Sequence, residues 1–157
     1  MFKWRRGFRG DERGAVLVEA LIVFPVMTIV TFGLLEVGNI LWVREQMQAG
    51  LRDAARYWSR CRPETVNFTS SCSEAIARNI AFYGGPTTRT TLRVPGWDDA
   101  TEITISPAKA DLPTNPAPGD LVVVSGQVVY SGSAAMTMLF GDAVTISHTV
   151  ELRQIGW

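Results

Sequence analysis

The sequence predicts an α+β protein in which one long N-terminal helix, apolar and then amphipathic, precedes a small antiparallel sheet. Three observations carry this expectation. Residues 20–35 (ALIVFPVMTIVTFGLL) hold no charge and sit inside an apolar run from Ala15 to Val43. From Ile40 to Trp58, apolar residues recur at spacings of three and four, the signature of one helix face. Beyond Gly84-Gly85-Pro86 the period drops to two, as in strands with one buried side. Four segments follow: a basic leader over residues 1–14, a membrane-spanning helix over 15–43, an amphipathic extension over 44–60, and an α+β domain over 61–157.

Charge is zero overall and uneven along the chain. The leader carries five basic residues (Lys3, Arg5, Arg6, Arg9, Arg13) against Asp11 and Glu12, a net +3, which leaves −3 for the remainder. A slightly acidic body with no basic patch argues against nucleic acid as a partner. The uncharged 16 residues rise only about 24 Å as helix, against about 30 Å of bilayer hydrocarbon. Including Ala15–Glu19 and Val37–Val43 makes the segment long enough, with Glu19 and Glu36 near its two ends. The run exceeds the about 7–15 apolar residues of an ordinary secretory signal, and small residues do not gather at its end. It therefore reads as a retained span in contact with membrane lipid. The basic leader puts the N-terminus in the cytoplasm. Pro25, inside the span, removes one amide donor and crowds the Leu21 carbonyl, so a kink is expected there.

The helix is expected to continue to about Arg60. Ile40, Val43, Met47, Leu51, Ala54 and Trp58 form one stripe, with Arg44, Glu45, Gln48, Arg52, Asp53 and Arg56 off it. That stripe suits packing on the chain's own domain better than docking in a partner groove. Pro63 ends the helix. In an oxidising compartment Cys61 and Cys72 are expected to form a disulfide; two free thiols or half a metal site are the alternatives. The lack of a CxxC pair and the single histidine count against a metal.

Ser73 is placed to cap a short helix, SEAIARNIAFYGG, with Ile76, Ile80 and Tyr83 on one face and Gly84 at its end. Period-two alternation then predicts three to four strands: Leu92/Val94, Ile103/Ile105, Val122/Val124/Val128/Tyr130, and Val144/Ile146/His148/Val150/Leu152. Pro95–Asp99 reads as a turn and Ser106–Asp120, with four prolines, as a loop. Ser133–Gly141 reads as a short apolar connector, with a helix that touches the membrane as one form it can take.

Catalytic signals are weak, and no enzyme, cofactor or small-molecule substrate is expected. His148 is the lone histidine and falls on the apolar side of a strand pattern, which suits a core position. No Ser or Cys nucleophile has an evident base. Asp98, Asp99, Asp111 and Asp120 lack calcium-loop spacing, and Gly84-Gly85 and Gly132 match no phosphate loop.

A basic leader that ends in Gly14, followed by an apolar helix with Glu19 five residues on, has the layout of a prepilin-type signal. A lone carboxylate near the start of a membrane helix is costly and rarely idle. The segment resembles the TadE-like family, minor pseudopilin-type proteins of the tight-adherence (Flp) pilus system. The matching pieces are Arg13-Gly14, Glu19, Pro25, Gly33-Leu34-Leu35-Glu36-Val37-Gly38 and Ala54-Ala55-Arg56. Ala15 and Val16 stand where type II pseudopilins carry Phe and Thr, which favours the Tad branch.

The resemblance implies a pilin-like architecture and cleavage by a prepilin peptidase between Gly14 and Ala15 on the cytoplasmic face. It also implies a single-pass bacterial inner-membrane protein with its domain in the periplasm, and an acid at Glu36 as a candidate subunit contact. Implied partners are other pilin-like subunits and the inner-membrane pilus platform. Glu19 would pair with the new N-terminus of its own chain or of a neighbouring subunit. A competing expectation is an unprocessed, signal-anchored periplasmic scaffold or binding protein.

Overall fold

The computed structural model describes residues 13–133 and 143–156. Its elements are α1 (Arg13–Trp58), α2 (Glu74–Tyr83), β1 (Ile103–Ser106), β2 (Leu121–Tyr130) and β3 (Val144–Arg153), with 3-10 turns at Ala100–Glu102 and Lys109–Asp111. The protein is α+β, as the sequence predicts. The chain divides into two compact units, Met1–Gly38 and Asn39–Trp157.

In the first unit, α1 runs from Arg13 through Pro25 without a break, and its large apolar side chains are exposed. The Thr28 hydroxyl donates to the Phe24 carbonyl at 2.7 Å and the Thr31 hydroxyl to the Met27 carbonyl at 2.8 Å. Such back-bonding satisfies the hydroxyls within the helix and lets threonine sit in an apolar surround. The helix is long and apolar enough to cross a membrane. The leader 1–12 lies outside the described residues.

The second unit is built around the amphipathic half of α1. Val43, Met47, Leu51, Ala54, Ala55 and Trp58 are all buried. They meet Ala77, Ala81 and Phe82 of α2, and the inward residues Ile103, Ile105, Val122, Val124, Val128 and Ile146 of the sheet. The sheet is antiparallel in the order β1-β2-β3. Ile105 is in register with Val124, and Val124 with Val150, so alternate residues of each strand reach the same face. Two glycines permit close approach: Gly50 of α1 lies under the backbone of Ala81, and Gly126 of β2 lies against the Leu51 side chain. The Trp58 indole N–H donates to the Pro107 carbonyl at 2.9 Å, which ties the end of α1 to the loop after β1.

Helix α2 begins and ends where its caps dictate. The Ser73 side chain accepts from the Ala75 amide, and Gly84 adopts the left-handed conformation (φ 74°) while its amide bonds the Ile80 carbonyl, as a C-terminal glycine allows. Its buried face differs from expectation by one residue. Ala77, Ala81 and Phe82 are buried, while Ile76, Ile80 and Tyr83 are only half-buried. The small alanines allow α2 to sit close on α1, and the bulkier isoleucines flank the contact.

Two further expectations are corrected. Leu92 and Val94 do not form a strand. The Arg93 amide donates to the Phe82 carbonyl at 2.7 Å, so this backbone is tied to the end of α2, and Pro95 precludes a ladder amide at the next position. Val94 is buried nonetheless. His148 is half-buried rather than in the core; β3 lies at an edge of the described sheet, where side chains are less covered. The connector after Ser133, over residues 134–142, lies outside the described residues.

Candidate processing and assembly site

The sequence-predicted site residues fall into two groups. Gly14, Ala15 and Glu19 lie in the first turns of α1, all exposed. Ala15 and Glu19 are four residues apart on one helix, so they share a face at neighbouring positions. An ammonium created at Ala15 would thus stand one turn from the Glu19 carboxylate, at the helix end whose unpaired amides favour negative charge. A β-carbon at Gly14 would meet nothing within 4 Å. The fold therefore imposes no demand for glycine there.

Pro25 and Glu36 occupy the same helix. Pro25 leaves the Leu21 carbonyl without its i+4 amide donor. Glu36 is half-buried and the apolar side chains around it are exposed. The two acids bracket the uncharged residues 20–35 and stand about 25 Å apart along the axis.

The second group is Cys61 and Cys72, which form a disulfide with Cα atoms 5.8 Å apart. It closes a loop whose tip is a tight turn, with Thr65 and Phe68 exchanging backbone hydrogen bonds at 2.9 and 3.1 Å. Cys61 is buried, and its carbonyl accepts from the Gln154 side-chain amide at 2.7 Å. A cleft of about 300 Å³ beside this loop is lined by Arg62, Phe68, Asn115 and Gly156 among others. Arg62 donates across it to the Gly156 carbonyl at 3.1 Å. Among the described residues, no three His, Cys, Asp or Glu side chains gather as a metal centre would require.

One contact was invisible in the sequence. The Asn39 amide donates to the Tyr130 hydroxyl at 2.6 Å, joining positions 91 apart in the chain. Asn39 reads in sequence as an interfacial polar residue and Tyr130 as the end of a strand; nothing local links them.

No curated protein and no solved structure matches the chain. The family model described as TadE-like protein matches residues 14–56, a stretch that lies within α1. Over residues 14–56 the chain is therefore similar to TadE-like protein, and the similarity is confined to that segment.

Proposed function

We propose that this protein is a minor pseudopilin-like subunit that serves assembly or initiation of a Tad/Flp-type adhesive pilus after a prepilin peptidase cuts between Gly14 and Ala15. The observation that carries this reading is the Gly14–Glu19 spacing at the head of a TadE-like segment. Cutting there would remove the +3 leader that holds the N-terminus in the cytoplasm and would create an ammonium four residues before Glu19. In lipid an unpaired carboxylate is expensive. Pairing Glu19 with the Ala15 ammonium of its own chain neutralises it at once; pairing with a neighbouring subunit does so only on assembly and sets the axial register. A bare helix would suffice for a major subunit of a thin filament. The folded second unit favours a minor role, in company with other pilin-like subunits and an inner-membrane platform. A disulfide between Cys61 and Cys72 suits a periplasmic domain.

The test is the intact mass and N-terminal sequence of membrane-extracted protein, with and without the cognate prepilin peptidase. A peptidase-dependent start at Ala15, lost in Gly14→Val, supports the reading. Because no neighbour crowds Gly14, that variant should fold normally, so loss of cleavage reports on recognition. An intact Met1 in cells with an active pilus system would sink the proposal and leave a signal-anchored protein.

A further inference from the structure

The second unit begins at Asn39, the residue that follows the apolar run in the chain. Within the unit, Asn39 is fastened to Tyr130, the last residue of β2, and Tyr130 is in register with Val144, the first residue of β3. At this same end four large apolar side chains stand exposed: Leu41 (53%), Trp42 (48%), Val129 (60%) and Val144 (38%). The other end of β2 lies past the far end of the helix. There Leu121 pairs with Arg153, and the Ile155 amide donates to the Ser59 carbonyl, about 30 Å along α1 from Asn39. Val66, at the tip of the disulfide loop, is also fully exposed, so exposure alone does not choose between the ends; the direct chain link from Asn39 to the apolar run is the argument for this one.

We propose that Leu41, Trp42, Val129 and Val144 form a lipid-facing collar that seats the β2–β3 end of the domain in the headgroup layer of the bilayer. That layer is about 5–8 Å deep, the rise of the four or five residues from Asn39 to Val43. Trp and Tyr prefer this zone because their rings are apolar and their polar edges stay wet. Exposed Arg44 falls at the level of lipid phosphates, where a cation is favoured, although Glu45 beside it limits the net charge. The collar rests on the reading of the apolar residues that precede Asn39 as a membrane span.

The experiment places a nitroxide label on single cysteines introduced into the full chain as Ile29→Cys, Val129→Cys, Val144→Cys and Val66→Cys. The proteins are held in nanodiscs of phosphatidylcholine and phosphatidylglycerol, and intact mass verifies that the native cysteines remain paired. The ratio of oxygen to nickel-chelate accessibility is read at each site. The collar predicts a ratio at 129 and 144 several-fold above that at 66 and below that at 29. Water-like values at 129 and 144 with a lipid-like value at 29 overturn the collar alone. A water-like value at 29 overturns the span and the collar together. Shielding at 129 that appears only when several copies share a disc indicates a second copy as the occupant and also overturns the proposal.

Discussion

The backbone of α2 passes so close to Gly50 that a β-carbon there would lie 2.5 Å from the Ala81 carbonyl oxygen. Replacing a mid-helix glycine by alanine ordinarily stabilises by about 1 kcal/mol. Here the obstacle is backbone rather than the free end of a side chain, and Trp97 closes the other side at 3.2 Å. Gly50→Ala is therefore expected to destabilise the domain by about 1–3 kcal/mol, seen as a lower urea midpoint at unchanged slope. A midpoint at or above wild type would show that the two helices separate freely.

The same reasoning applies with a softer obstacle at Gly126. A β-carbon there would come 2.8 Å from Leu51 Cδ2, and Leu51 is fully buried. Gly126→Ala should destabilise by about 1–3 kcal/mol, and Leu51→Val in the same chain should recover part of that loss. A double-mutant cycle measures the coupling; strictly additive effects would contradict the contact.

Removing the disulfide tests the loop at the end of α1. Paired replacement of Cys61 and Cys72 by alanine frees a loop whose ends are 11 residues apart, and loop-closure entropy sets the expected loss at about 3 kcal/mol. Denaturant unfolding of wild type with and without reductant should give a drop of similar size. An unchanged midpoint in both would mean that the unfolded chain is not constrained by this link.

Two acids in one turn are expected to depend on pH with opposite signs. Asp99 caps the Ala100–Glu102 turn by accepting from the Thr101 amide and hydroxyl, each at 2.8 Å, and the amide bond chiefly holds its carboxyl below the ordinary value. Its contribution is present above the ordinary aspartate range and is lost as pH falls through the lowered value. Partial burial chiefly pushes the Glu102 carboxyl up, against the bonds it accepts from the Asp99 and Asp98 amides. Its charge therefore opposes folding as pH rises from the ordinary glutamate range through the raised value. Asp99→Asn should be less stable than wild type at neutral pH, a deficit that closes in acid. Glu102→Gln should be more stable at neutral pH, an advantage that also closes in acid. Thermal midpoints between about pH 3 and pH 7 decide; matching signs for the two variants would refute the assignment.

Much of this protein is local and so could be read directly from residue order. The buried stripe of α1 follows from spacings of three and four, the limits of α2 from Ser73 and Gly84, and β1, β2 and β3 from alternation that one covered face enforces. The Gly14–Glu19 spacing is more local still, because it is a linear pattern on one helix, and whether it directs processing is the proposal the N-terminal measurement tests. Other features depend on which backbone donors and volumes meet in space. Leu92 and Val94 alternate like a strand, yet the Arg93 amide is taken by the Phe82 carbonyl and Pro95 ends the run. Ile76 and Ile80 look like the core of α2, yet Ala77 and Ala81 are buried because only small side chains admit α1 at Gly50. Trp97 reads as part of a turn, yet it is buried edge-on to Phe82, with ring centres 5.1 Å apart. The bond from Asn39 to Tyr130 has no local signature either, since two polar groups so far apart in sequence meet only when the sheet closes over the helix. Periodicity reports which face of an element avoids water; packing decides what that face touches, because contact depends on volumes and donors brought from distant parts of the chain.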